Sequence, residues 1–164
     1  MELPKRKHPR LRNYDYSQAG HYYVTIHSEK GQPPLSVVEQ GLAPAAFVSL
    51  TPYGAIAAEQ LSLLEARYPY VRIEKHIVMP THIHAIIHLQ NPTSDQPRPS
   101  LTDIICTYKS LTTREMNRSF GTPGQKRFQT SFYESVLRNE QAYLECWQYI
   151  DNNPAKWLLA PEDL

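Results

Sequence analysis

The stretch that decides the fold runs from Val78 to Leu89 and reads VMPTHIHAIIHL. Its second part is apolar and β-branched, which predicts a strand over residues 81–89. Alternate side chains of a strand point to opposite faces, so His82 and His84 share one face. The alternate residues Ile83, Ala85 and Ile87 point to the opposite face, into a core. Two imidazoles on one face of an anchored strand can bind one metal ion together, and the pair indicates a metal site.

The other histidines are weaker candidates. His88 shares the face of His82 and His84 by parity, but it lies too far along the strand to serve the same ion. The remaining histidines have no comparable partner in the sequence and are expected at the surface or partly packed. They are His8, His21, His27 and His76.

The flanking sequence predicts an α+β fold. Thr51 before Pro52 indicates a helix start, and Ser100 with Asp103 indicates another. The expected elements are a strand at 22–27, a short hairpin in the proline-containing segment before residue 50, a helix at 51–67, strands at 70–78 and 81–89, a helix from 100, a strand at 132–137 and a helix at 140–153. The order β-α-β-β-α-β-α suits a ferredoxin-like antiparallel sheet with helices packed on it.

The second predicted helix has an apolar stripe at helical spacing. Its expected buried residues are Leu101, Ile104, Ile105, Tyr108 and Leu111.

Length and composition are those of one soluble domain over residues 1–164. Hydrophobic residues make up 41% and charged residues 20% of the chain, and the formal net charge is +1. The sequence contains neither a membrane-span pattern nor a signal-peptide pattern. Two separated cysteines, Cys106 and Cys146, favour a reduced cytoplasmic protein. Basic residues crowd the first part of an arm over 1–20, which is typical of a polyanion contact and equally of a solvated terminus.

The last predicted helix carries a polar pair beside its core-facing stripe. Tyr149 and Asn153 are four residues apart and therefore lie on one side of the helix. The amide oxygen of Asn153 could be a third, hard ligand to an ion such as Mg²⁺ or Mn²⁺.

The ordered motifs resemble one known family. Met79–Ile87 is similar to the His-hydrophobic-His (HUH) signature of single-strand DNA transposases, and Tyr149–Trp157 is similar to the tyrosine helix of their REP-associated branch, where REP means repetitive extragenic palindrome. Four further matches are Arg12–Ser17, Leu50–Gly54, Tyr108–Thr113 and Phe132–Glu134 with Arg138–Glu140. The similarity extends over most of the chain, from about Arg10 to Trp157.

The resemblance implies a metal-dependent transposase that cuts single-stranded DNA. Tyr149 would be the nucleophile that forms a 5′-phosphotyrosine, while His82, His84 and Asn153 would bind Mg²⁺ or Mn²⁺. The partner would be single-stranded DNA with REP-like hairpins, and the protein would be a cytoplasmic bacterial protein, at the nucleoid when bound to DNA. It would work as a monomer or a homodimer, without a membrane.

DNA contacts are expected from basic and aromatic side chains. The candidates are Lys5, Arg6, Lys7, Arg10, Arg12, Tyr14, Tyr16, Lys109, Arg114, Arg118, Lys126 and Arg127, with Tyr22 as a further stacking candidate. Two alternatives stay open from the sequence: a catalytically silent protein that binds single-stranded DNA or hairpins, and a metallohydrolase that uses the same histidines to activate water. The second alternative has no need of Tyr149.

Overall fold

The computed structural model of the chain describes residues 10–42 and 45–160. Its elements are β1 (Gly20–His27), β2 (Ser36–Gln40), β3 (Ala46–Leu50), α1 (Pro52–Arg67), β4 (Val71–Val78), β5 (His82–Leu89), α2 (Leu101–Phe120), β6 (Tyr133–Leu137) and α3 (Glu140–Leu159). Four strands form an antiparallel sheet in the spatial order β4-β5-β1-β6, and β2 pairs with β3 in a separate hairpin. The predicted α+β fold, with an antiparallel sheet, the expected order of elements and the expected short hairpin, is confirmed.

Helices cover both faces of the sheet. Ile83 and Ile87 of β5 belong to the larger core, together with Leu61 of α1 and Ile105 of α2. Ile86, which points to the other face, packs with Cys146 and Ile150 of α3. The two-residue period of β5 therefore sends its odd-numbered side chains into the main core and its even-numbered side chains, the histidines among them, towards α3.

The hairpin is fastened to the start of α1. The Thr51 hydroxyl accepts a hydrogen bond from Gly54 N at 3.2 Å, and it donates one to the Pro34 carbonyl at 2.7 Å. The Thr51 N–H also donates to the Leu35 carbonyl at 3.0 Å. A Cβ atom added at Gly54 would lie 1.8 Å from that same carbonyl oxygen, so only glycine fits where the two segments meet.

Helix α2 begins as predicted but buries a different last turn. Ser100 and Asp103 form a reciprocal capping box. The expected burial of Leu111 is wrong, because Thr112 and Met116 are buried while Leu111 is half-buried. Thr112 and Met116 follow Tyr108 at intervals of four residues, close to the 3.6 residues of one turn, so they continue the buried face of the helix. Leu111 lies further from the centre of that face.

Helix α3 is longer than predicted. The prediction that it ends at residue 153 is wrong, since Pro154 lies inside a helix that continues to Leu159. Proline removes one backbone hydrogen bond, but Pro154 is itself buried, and the added turns bring the Trp157 ring to 6.1 Å from the His82 ring.

In the described part of the chain, the helices lack the combination of length and apolar character that a membrane crossing requires.

Candidate active site

The two histidines of β5 are buried side by side beneath α3. The exposed fraction is 1% for His82 and 4% for His84. Their ring centroids lie 4.5 Å apart. The shared face predicted from strand parity is therefore present, and it lies against the helix that carries Tyr149.

His84 is oriented by two hydroxyl groups of β1. Its Nδ1 lies 2.7 Å from Tyr23 Oη and 2.9 Å from Thr25 Oγ1. Nδ1–H can donate to a hydroxyl oxygen, which leaves the lone pair of Nε2 free. Among the described residues, His84 Nε2 is one of the buried polar atoms that have no hydrogen-bond partner. A buried acceptor without a partner is costly, so this atom is available to bind a ligand.

His82 faces the amide of Asn153. His82 Nε2 lies 3.4 Å from Asn153 Oδ1, and His82 Nδ1 lies 3.1 Å from the Thr81 hydroxyl. Asn153 is completely buried, and its Nδ2 has no hydrogen-bond partner. Neighbouring ligands at about 2.1 Å from an octahedral ion lie about 3.0 Å apart, so the two atoms would have to approach by about 0.4 Å to share such an ion. At 3.4 Å they form at most a weak hydrogen bond.

Both imidazoles are neutral at neutral pH. Burial lowers the pKa of His82 to about 4, helped by the nearby His27, while the hydrogen bond with Asn153 acts in the opposite direction. Burial also holds the pKa of His84 well below its usual range. Neutral imidazole is the form that binds metals.

Tyr149 extends the site on the side of His84. Its ring centroid is 5.5 Å from that of His84 and 6.3 Å from that of Tyr23. The ammonium group of Lys156, nearly two turns further along α3, lies 4.7 Å from the centre of the Tyr149 ring. A phenol, a cation and the two histidines thus occupy one small region.

The donor set fits a divalent cation. Two neutral imidazole nitrogens and an amide oxygen are ordinary ligands for such ions. The orphaned His84 Nε2 agrees with this interpretation because its lone pair is available, and Asn153 Oδ1 has a second lone pair beyond its contact with His82. The structure therefore brings together Tyr149, His82, His84 and Asn153, which the sequence placed on two separate elements.

Three expected DNA contacts are corrected by burial. Tyr16 is buried and donates a hydrogen bond to Glu134 at 2.6 Å. Tyr22 is completely buried, so neither ring offers a free face for a base. Arg127 is buried, and its guanidinium bonds to the side chains of Asn117, Gln32 and Thr122.

The other expected DNA contacts within the described residues range from half-buried to exposed. Lys5, Arg6 and Lys7 lie outside the described residues. Lys109 donates to the carbonyls of Gln129 and Thr130, Arg10 lies 4.6 Å over the Phe132 ring, and Tyr14 is half-buried with its hydroxyl 3.2 Å from that of Tyr22. Arg118 pairs with Glu115 and Lys126 pairs with Glu29. Arg12 and Arg114 are exposed.

Sequence reasoning missed the groups that act across strands. Tyr23 and Thr25 orient His84 from β1, and Thr25 is its direct cross-strand partner. His21 is partly packed, as expected, and it stacks on His88 of β5, a contact that the sequence did not indicate. The alternating pattern of β1 could have suggested these contacts only if its pairing with β5 and the register were known.

Comparison with known proteins identifies the fold. No protein-family profile matches the chain. An uncharacterised protein of Haemophilus influenzae is 25% identical over 172 residues, covering 93% of this chain and 89% of that protein. A proposed transposase of Deinococcus radiodurans aligns over 87% of this chain and 95% of its own, with 17% identity and a TM-score of 0.47.

A better structural match is a REP-associated tyrosine transposase bound to a REP hairpin. It aligns over 90% of this chain and 73% of its own, with a TM-score of 0.59 and 20% sequence identity. The chain therefore has the fold of a REP-associated tyrosine transposase.

Proposed function

We propose that this chain is a REP-type tyrosine transposase of the HUH class, which cleaves and rejoins single-stranded DNA at or near hairpins. The observation that carries the proposal is the buried His84 Nε2, which has no hydrogen-bond partner and lies beside His82, Asn153 and the ring of Tyr149. A core that only needed packing would not retain such an atom. The fold shared with a transposase supports the same assignment.

In this proposal His82, His84 and Asn153 hold Mg²⁺ or Mn²⁺. The bound ion would supply positive charge that polarises the scissile phosphate. Tyr23 and Thr25 act through His84, because their hydroxyls fix which ring nitrogen faces the site. The neutral ligands leave the charge of the ion available to the phosphate.

Tyr149 provides the nucleophile. Its phenol oxygen attacks phosphorus and loses its proton to solvent, a Tyr–O–P bond forms, and the bond from phosphorus to the 3′ oxygen breaks. The leaving strand takes up a proton and ends in a 3′-OH. Attack by another 3′-OH reverses the step and joins two strands. The covalent link conserves the phosphodiester energy, so ATP is not required.

Lys156 supports this role for Tyr149. Its ammonium group lies over the tyrosine ring at 4.7 Å and so puts a positive charge beside the proposed nucleophile. A cation held there would favour the approach of a phosphate group. It would act by positioning and would not take part in bond making.

The proposed partner is single-stranded DNA that folds into a hairpin. The similar transposase structure has a REP hairpin bound to it. The exposed Arg12 and Arg114, with the basic arm at 1–20, would contact phosphates, and their contribution would weaken with added salt. The protein would act as a monomer or as a homodimer.

The test uses a pool of DNA hairpins with randomised single-stranded flanks and a fluorophore at the 3′ end. With Mg²⁺ or Mn²⁺, the wild-type protein should become covalently labelled, because the 3′ fragment stays on the tyrosine. Tyr149→Phe should abolish labelling. Tyr68→Phe is the matched control, since Tyr68 precedes β4 at the end of the sheet far from His82, and it should label like wild type.

Three results would contradict the proposal or part of it. Wild-type protein that never becomes labelled, although it binds the hairpins, would favour a silent DNA-binding protein. Cleavage that survives in Tyr149→Phe at the wild-type rate would favour a metallohydrolase that activates water. Equal cleavage of double-stranded DNA would contradict the single-strand assignment.

A further inference from the structure

A second group of metal-binding side chains lies on the α3 face of the sheet, at the other end of β5. His21, Glu74 and His88 offer ligand atoms that all lie within 4.8 Å of one another. His21 and His88 are cross-strand partners, with rings stacked 4.1 Å apart at an interplanar angle of 10°. His88 lies four positions along the strand from His84, about 13 Å away. One ion cannot serve both groups.

A β-bulge aims the carboxylate of this group. The register of β4 against β5 shifts between Ile73 and Lys75, so Glu74 is the inserted residue. Its Oε2 lies 3.3 Å from His21 Nε2, and its Oε1 lies 3.4 Å from His88 Nδ1. One carboxylate thus faces both imidazoles.

These separations resemble a coordination shell more than a pair of charged hydrogen bonds. Charge-assisted hydrogen bonds between nitrogen and oxygen are shorter, about 2.7–2.9 Å. Ligands at about 2.1 Å from a tetrahedral ion lie about 3.4 Å apart, which is close to both observed distances. Because the two rings are stacked with nearly parallel planes, they must rotate out of the stack for both lone pairs to point at one ion.

Tyr143 of α3 supports the carboxylate from outside the group. Its hydroxyl donates to Glu74 Oε2 at 2.8 Å. Burial, together with the hydrogen bond to Glu74, raises the pKa of Tyr143 to about 12, so it remains a donor at neutral pH. Hydrogen bonds of this kind orient metal ligands in known sites. The side chains of His21, Glu74 and His88 are 36%, 26% and 29% exposed, which leaves access for water as a further ligand.

We propose that His21, Glu74 and His88 form a second cation site, selective for a transition-metal dication of the zinc type. Two imidazoles and one carboxylate suit such ions, whereas Mg²⁺ prefers oxygen ligands. The ion would join β1, β4 and β5 and, through Tyr143, the amino-terminal half of the helix that carries Tyr149. The proposal stands on this geometry alone and is independent of the function proposed above.

The test is a titration of the metal-stripped full chain with Zn²⁺ by calorimetry. Glu74→Gln should lose one equivalent of bound Zn²⁺ or bind it at least ten-fold more weakly, although glutamine can still accept from Tyr143. Glu59→Gln, at an exposed glutamate of α1, is the matched control and should bind like wild type. Tyr143→Phe should weaken this site roughly ten-fold. Mg²⁺ at the same concentration should not compete.

His84→Ala separates this site from the one beneath Tyr149. It should retain the equivalent of Zn²⁺ that Glu74→Gln loses. Unchanged binding in Glu74→Gln would overturn the proposal, and so would loss of all Zn²⁺ binding in His84→Ala. If Glu74→Gln fails to fold by circular dichroism, His21→Asn replaces it with the same expected loss. None of these Zn²⁺ titrations depends on whether Tyr149 forms a covalent link to DNA.

Discussion

At the scale of single residues, the site depends on side chains that are held from a neighbouring element. His84 is fixed by Tyr23 and Thr25 of β1, and His82 faces Asn153 of α3. In each imidazole, Nδ1 lies within hydrogen-bond distance of a hydroxyl group and Nε2 faces the site. The nitrogen that would bind a metal is therefore set by its neighbours before any ion arrives.

Asn153 is the residue whose role is easiest to isolate. If the site binds Mn²⁺, a concentration of 100 times Kd should stabilise the wild-type protein by about 2.7 kcal/mol, which corresponds to a rise in Tm of roughly 5–11 °C for a chain of this size. Asn153→Ala should lose most of that rise, because it removes an oxygen ligand. The measurement is thermal unfolding with and without Mn²⁺.

The adjacent asparagine provides the control. Asn152 is exposed on the same turn of α3, so Asn152→Ala should show the full wild-type rise in Tm. An equal rise in Asn153→Ala and wild type would remove Asn153 from the proposed ligand set.

At the scale of elements, local periodicity in the sequence predicted which side chains share a face, but it did not predict which elements contact each other. Strand parity was sufficient to put His82 and His84 on one face, and the i, i+4 spacing was sufficient to pair Tyr149 with Asn153. The approach of α3 to β5 came from the family resemblance and not from either pattern. The bulge at Glu74 was missed, since one inserted residue leaves no mark in a short amphipathic run.

The junction between the hairpin and α1 gives a prediction in which packing opposes helix propensity. In an exposed helix, replacing glycine by alanine stabilises by up to about 1 kcal/mol. At Gly54 the added methyl group would meet the Leu35 carbonyl, so we expect Gly54→Ala to lower the free energy of unfolding by roughly 1–3 kcal/mol. Urea denaturation measures the difference.

A surface change on the same helix serves as the reference. Ser62→Ala, at an exposed position of α1, should change the free energy of unfolding by less than about 0.5 kcal/mol. A Gly54→Ala variant at least as stable as wild type would contradict the close approach between α1 and the hairpin.

At the scale of the whole molecule, buried neutral histidines link stability to pH. Burial lowers the pKa of five described histidines, namely His27, His76, His82, His84 and His88. Between the ordinary value of about 6.5 and the lowered values, the unfolded chain binds more protons than the folded one. The contribution is thus fully present above pH 6.5 and is lost as the pH falls.

We therefore expect the metal-free protein to be less stable at pH 5.0 than at pH 7.5. The carboxyl groups with lowered pKa, such as those of Asp15 and Asp103, titrate mainly below this interval. The measurement is the free energy of unfolding in urea at the two pH values, with a chelator present. A value at pH 5.0 equal to or higher than that at pH 7.5 would mean that the histidines are not held neutral by burial.

The fold class was predictable from the sequence because strands and helices follow separate periods and clear capping signals. The candidate site was predictable only in its parts. Residues that are far apart in the chain, such as Tyr23 with His84 or His21 with Glu74, meet through sheet register and a bulge, which a single sequence does not specify. The length of α3 depended on packing around Pro154 that local rules do not capture.

The central claim is that Tyr149 is the residue that becomes joined to DNA. The direct measurement is mass spectrometry of the covalent product formed with the hairpin pool and Mn²⁺, after digestion with nuclease and trypsin. The tryptic peptide 139–156 contains both Tyr143 and Tyr149, so fragmentation of that peptide distinguishes them. The account predicts a 5′-phosphonucleotide on Tyr149, and a nucleotide on Tyr143 or on any other residue would contradict it.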